Sequence, residues 1–147
     1  MKKTLLVCAV AVLGTVATSA WAGGQQVKAE AGADGKSVVV RTYRCGTPSS
    51  FKVVGTAEGV VNGARKTIPL TIARASEEGV FTVERQWPAE GRWALVFSVE
   101  GSHAVSTIAE LEPGAAIRVA RQKASYEKPT AADVHAALAS AAPAASR

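Results

Sequence analysis

The chain has 147 residues, a formal net charge of +5 and only two cysteines, Cys8 and Cys45. That length fits one domain with a real hydrophobic core, and two cysteines exclude a scaffold that depends on several disulfides. Positive and negative residues alternate, and Arg65-Lys66 is the longest basic run before the C-terminal tail. This pattern lacks the clustered positive face and interleaved aromatics of a nucleic-acid binder.

The first element is an export signal. Lys2 and Lys3 form a basic start, Leu5 to Ala17 an uncharged apolar run, and Ser19-Ala20-Trp21-Ala22 a small-residue cleavage site. This three-part arrangement predicts a secretory signal peptide over residues 1–22. The apolar run is too short for a good membrane span and is followed by polar Gly23-Gly24-Gln25-Gln26, so no integral membrane segment is expected after cleavage. Cys8 lies early in the apolar run, not after it, and so does not suit a lipid anchor. The expected localisation is periplasmic or secreted, in the style of a bacterial export signal. Without Lys2 and Lys3 the balance is 15 basic residues against 12 acidic, a net of +3. Cys45 is then the lone cysteine of the mature chain, so no intramolecular disulfide can form, and a buried, inert thiol is expected.

From residue 23 onward the periodicity is two. Gln25, Val27, Ala29 and Ala31 share one face of a short first strand, with Lys28 and Glu30 on the other. Asp34-Gly35 turns the chain into Ser37–Cys45, a β-branched run whose inward face the pattern leaves open and which suits a strand covered on both sides. Gly46 to Ser50 breaks it. Phe51–Val61 follows, with Gly55 and Gly59 marking a bulge or bend. Asn62-Gly63 is the strongest short hairpin signal, because a type I′ turn needs positive φ at both places. The return strand alternates Ile68, Leu70 and Ile72 against Thr67, Pro69 and Thr71, and Pro69, with no amide proton, places it at a sheet edge.

After the turn at 75–79, Phe81, Val83 and Trp87 share a face with Arg85. Beyond the corner at 88–91, Trp93, Leu95, Phe97 and Val99 share a face, with Arg92, Ala94, Val96, Ser98 and Glu100 opposite. Val105, Thr107, Ala109 and Leu111 alternate next, then Ala115, Ile117 and Val119 after Pro113-Gly114. Seven or eight strands with turns about every ten residues predict an all-β sandwich or barrel spanning residues 23–127. The tail, 128–147, is Ala-rich. Thr130 to Asp133 resembles a capping box and Val134 and Leu138 are spaced i, i+4, so the tail is either a short helix ended by Pro143 or disordered.

The run Gly79-Val80-Phe81-Thr82-Val83, continued by Trp87-Pro88-Ala89-Glu90-Gly91-Arg92-Trp93-Ala94-Leu95-Val96, resembles a hairpin of bacterial exported immunoglobulin-like modules, the YtkA-like and copper-resistance-protein-C-like groups among them. The likeness covers residues 55–100 and consists mostly of packing residues. It implies an immunoglobulin-like antiparallel β-sandwich and is nearly silent on function: the copper-handling members use His and Met ligands, and none carries over, since the only methionine is Met1 and no histidine stands at the mature N-terminus.

Catalytic chemistry has little footing. His103 and His135 are the histidine bases, and a dyad of Cys45 with His103 needs the fold to join them. Glu77-Glu78, Glu110, Glu112 and Asp34 read as solvated carboxylates, and no phosphate loop is present. No catalytic residue and no cofactor is therefore expected. Cys45 and His103 are the weak candidates for a metal, copper or zinc. Trp93 reads as core. Arg85, Trp87, Pro88 and Glu90 read as a contact surface, and the first strand, Gln25 to Ala31, as the edge open to an added strand. The expected function is a non-enzymatic exported module that binds a protein or cell-envelope partner, the alternative being a metal-handling accessory protein.

Overall fold

A computed structural model describes residues 24–100 and 105–140. The strands are β1 (Gln25–Ala31), β2 (Ser37–Arg44), β3 (Thr47–Pro48), β4 (Lys52–Val61), β5 (Ala64–Pro69), β6 (Ala73–Arg74), β7 (Val80–Glu84), β8 (Arg92–Glu100), β9 (Val105–Leu111) and β10 (Val119–Ser125). A single helix, α1 (Ala131–Ser140), follows. Against the seven or eight strands expected, ten are present among the described residues, β3 and β6 being only two residues long.

The strands form two antiparallel sheets. One runs β1-β2-β7-β6, with β3 also paired to β2, and the other β10-β9-β8-β4-β5. The alternation seen in the sequence decides which residues meet between them. Val27, Ala29, Val38, Val40, Phe81 and Val83 from the first sheet join Trp93, Leu95, Phe97, Val99, Val105 and Ala109 from the second in one buried cluster. Thr42 and Thr107 are the polar residues of this layer, and their hydroxyls donate to the Ser49 and Lys123 carbonyls at 2.6 and 3.4 Å, which satisfies them inside the core. Val39, Arg41 and Tyr43 of β2 are half-buried on the outer face, so β2 is covered on one side only, not on both.

Two type I′ turns organise the hairpins. Asn62 and Gly63 have φ of 50° and 78° between β4 and β5. Cys45 and Gly46 repeat the geometry, with φ of 50° and 81°, between β2 and β3. Primed turns match the strand twist, which is why two residues suffice.

Gly55 and Gly59 mark no bulge. The β4–β8 register runs unbroken, with Gly55 opposite Phe97 and Gly59 opposite Trp93. The rings lie over the bare backbone: a Cβ on Gly59 would stand within 2.6 Å of three Trp93 ring atoms, and one on Gly55 at 2.8 Å from Phe97 Cδ1. Here glycine makes room for an aromatic cross-strand neighbour.

The chain after β9 departs from the expected strand at 115–119. Residues 113–118 form a loop, anchored where Ile117 N donates to Gly35 O at 2.7 Å and buries its side chain. The last strand, β10, is exposed along nearly its whole length, with a register shift between Val119 and Arg121. The tail is a helix. Thr130 is its N-cap: Asp133 N donates to Thr130 Oγ1 at 3.2 Å, and Thr130 N donates back to Asp133 Oδ2 at 3.0 Å, the reciprocal bonds of a capping box. Val134, Ala137 and Leu138 bury against Ala94, Ile108, Val60 and Val96 on the outer face of the second sheet. Burial on that face supplies the stability that ten residues of isolated helix lack.

Candidate functional site

The corner singled out in the sequence is a structural joint. Trp93 is 3% exposed, and its Nε1 donates to the Glu90 carbonyl at 2.9 Å, which closes the corner onto the strand. Trp87 is also 3% exposed, so its ring belongs to the core and offers no face to a partner, a correction of the contact reading. It continues the Phe81 and Val83 side, and the Arg85 guanidinium lies 5.6 Å from the centre of its ring. That guanidinium also donates to the Ala115 carbonyl at 3.0 Å, tying down the loop after β9. Arg85 and Pro88 are half-buried and Glu90 is exposed, so the corner retains only a small polar outline.

Cys45 is exposed, against the expected burial. The cause is local: it sits at the first central position of a two-residue turn, where the side chain points away from both sheets. His103 lies outside the described residues, as do the predicted signal peptide and Pro143. His135 is exposed on α1. Among the described residues no group of three or more His, Cys, Asp or Glu side chains could hold a metal ion.

The outer faces of the two sheets differ in chemistry. On the first, Lys28 lies 5.6 Å from the Tyr43 ring centre, and Arg41 pairs with Glu30 at 3.7 Å and Glu77 at 3.3 Å. This is a charged, self-satisfied surface. On the second, α1 covers only part of an apolar face. The uncovered part is a groove of about 410 Å³, floored by Val54, Gly55, Thr56 and Val96 and walled by Lys128 to Ala131 and Val134 on the helix side. Glu58 and Arg65 stand on the other side. Val54, 39% exposed, is one of two large hydrophobic residues left in solvent among the described residues. The groove's volume falls in the range of ligand-sized clefts.

Charge around the groove is unbalanced. Glu58, the single carboxylate lining it among the described residues, accepts from the hydroxyls of Thr56 at 3.0 Å and Thr67 at 2.7 Å. Among the described residues neither Arg65, Lys66 nor Lys128 takes part in an ion pair. The carboxylates held below their usual range lie elsewhere. Asp133 is lowered first by the Thr130 hydroxyl and then by Lys123, 3.0 Å away. Asp34 is lowered first by the Lys36 amide and then by the Ser37 hydroxyl. Glu78 is lowered first by the Ser50 amide and also by Arg74. Each stabilises a turn or a helix start, and none lines the groove.

The edges also differ from expectation. β1 is a sheet edge, but β10 lies beside it, and Ala29 N already donates to Gln122 Oε1 at 3.0 Å. The predicted open edge is therefore partly occupied. Among the described residues β5 pairs only with β4, as Pro69 led one to expect. The groove was not legible as a site, because its residues come from three strands, a linker and a helix. The one signal for it was that Ala94 and Val96 are apolar on the side of β8 opposite the core. No family model matches the chain, and no curated protein or solved structure matches it either.

Proposed function

We propose that the chain is an exported, non-enzymatic module of immunoglobulin-like β-sandwich type that binds a protein or cell-envelope partner through the outer face of the β10-β9-β8-β4-β5 sheet. The observation that carries the reading is the groove beside α1, where an apolar floor remains in water and the cations lining it, Arg65 and Lys128, take part in no ion pair among the described residues. Solvent-exposed apolar surface rimmed by polar residues is the common form of an interaction site. The pairing of two antiparallel sheets over one core supports the immunoglobulin-like assignment, and the three-part N-terminus supports export. No observation favours the metal-handling alternative over binding.

Site-specific photo-crosslinking tests the reading. A photoreactive residue at Val54 of the mature protein, incubated with envelope extract, should give a discrete adduct. The same residue at Lys28, on the outer face of the other sheet, should not. Equal adducts at both positions, or none at Val54, would refute it.

A further inference from the structure

We propose that the free edge of β5 accepts an extended, acidic peptide segment as an additional strand of its sheet; this rests on the binding face proposed above and names the chemistry of its partner. The register of the hairpin supplies the template. In a two-residue type I′ hairpin the residues flanking the turn form a hydrogen-bonded pair, here Val61 and Ala64, and such pairs then alternate along the ladder. Gly59–Lys66 and Ala57–Ile68 follow in phase, and the bond from Leu70 N to Gly55 O at 3.0 Å continues the same phase one pair beyond the strand. The backbone groups of Ala64, Lys66 and Ile68 are thus turned toward β4. Those of Arg65 and Thr67 point away from the sheet, and so does the nitrogen of Pro69, which has no proton to offer. Arg65 and Thr67 therefore present donors and acceptors spaced to receive one short strand, and Pro69 sets where it must stop.

Charge identifies the occupant. Arg65 projects onto the outer face beside the groove, and Lys66 projects to the opposite face. Both are exposed, and neither has an ion pair among the described residues. Neighbouring residues of an added strand also point to opposite faces, so two adjacent carboxylates would meet the two cations in turn. A second copy of this chain fits poorly, because edge-to-edge pairing of β5 with itself would bring the same cations together. β1, the long edge strand of the facing sheet, is partly occupied by Gln122. An acidic strand on β5 is the β-augmentation mode of peptide recognition, with backbone bonds giving affinity and side-chain pockets giving choice.

The probe is a capped octapeptide of alternating Thr and Val with two adjacent Glu at its centre, titrated into the mature protein and followed by amide NMR. A peptide with two Lys at those places is the control. The Arg65 and Thr67 amides should shift and exchange more slowly with the diglutamate peptide only, and its affinity should fall steeply with added salt. Affinity should drop at least tenfold in Arg65→Glu/Lys66→Glu. It should drop as far in Thr67→Pro, which removes an outward amide while leaving the β4–β5 ladder whole. Equal binding of the two peptides, or no binding at millimolar concentration, overturns the proposal. So does unchanged affinity in Thr67→Pro. Polygalacturonate that binds with the same salt dependence but leaves the Arg65 and Thr67 exchange rates unaltered would point to an anionic polymer instead and also overturn it. If Thr67→Pro still cross-links its envelope partner from Val54, the edge inference fails alone. If Val54 cross-links nothing while β5 takes the diglutamate peptide, the binding-face reading fails alone.

Discussion

Replacing Gly59 by Ala should destabilise the protein although the change adds one methyl group to a strand. The new Cβ would lie within 2.6 Å of three ring atoms of Trp93, directly opposite in the register. The ring has little freedom to withdraw, because it is 3% exposed and its Nε1 is bonded to the Glu90 carbonyl at 2.9 Å. Overfilling a packed core costs about 1–3 kcal/mol. Restricting the unfolded chain works the other way by roughly 0.4–1 kcal/mol. The net expectation is a loss of about 1–2 kcal/mol, read by urea unfolding as a lower midpoint with an unchanged m-value. The melting temperature should fall by several degrees, since each kcal/mol moves a small domain by about 4–8 °C. A double-mutant cycle with Trp93→Leu isolates the cause. With the ring gone, alanine should cost little, giving a coupling on the order of 1 kcal/mol or more. A Gly59→Ala protein as stable as its parent, or strictly additive behaviour in the cycle, would show that the ring is not what requires glycine.

Other consequences can be measured on the same protein. Thr130→Ala should weaken α1 by about 1 kcal/mol through loss of the N-cap, and amide exchange in 131–140 should speed up while the strands stay protected; protection equal to the parent would discount the cap. Leu138→Ala should release α1 from the sheet, seen as lost helical ellipticity with Trp93 fluorescence retained. Because Asp34, Glu78 and Asp133 titrate below their ordinary values when folded, their stabilisation is complete above the normal carboxylate range near pH 4 and is lost as pH falls through the lowered values. Melting temperature should therefore hold from neutrality to about pH 5 and decline below pH 4; a rise on acidification from pH 4 would contradict it. Cys45 should react with a thiol reagent in the folded protein at close to the rate of the unfolded chain. Cys45→Asn should raise stability by up to about 1 kcal/mol, because Asn tolerates the positive φ of that turn position better than most residues; a loss of that size would argue that the thiol has a contact of its own.

What the sequence made legible follows from burial. β8 alternates large apolar residues with others over nine positions, so its period and its inner face could be read directly. The Asn62-Gly63 turn and the edge position of β5 were equally plain, since each depends on two or three neighbouring residues. β10 was not, because an edge strand exposed on both faces imposes no pattern on its side chains. The β2–β3 hairpin was missed because Cys at the first turn position is a rare choice. Trp87 was misjudged for another reason: Arg85 shares its face in the sequence, yet the guanidinium lies against the indole, 5.6 Å from the ring centre, and donates to the Ala115 carbonyl while the ring stays buried. Whether an arginine near a core face opens or seals it depends on a carbonyl thirty residues away, and local pattern cannot supply that.

The groove has its own physical origin in a mismatch of lengths. A ten-residue helix is about 15 Å long, whereas strands of nine and ten residues such as β8 and β4 extend about 30 Å. α1 therefore covers roughly half of the face on which it lies. Arg92, at the start of β8, donates to the Leu138 carbonyl at 3.2 Å, and Ser140 Oγ donates to Glu110 at 2.6 Å near the end of β9. These bonds hold the C-terminal end of the helix at that end of the sheet. The far half, where Val54 and Ser98 face each other across β4 and β8, is left to water. Apolar residues serve the covered half by burying the helix, but under the helix alone they would not be needed at Val54. Val54 stands beyond the reach of α1, lining the same groove as Arg65 and Lys128, neither of which takes part in an ion pair among the described residues, so seating the helix does not account for an apolar residue there.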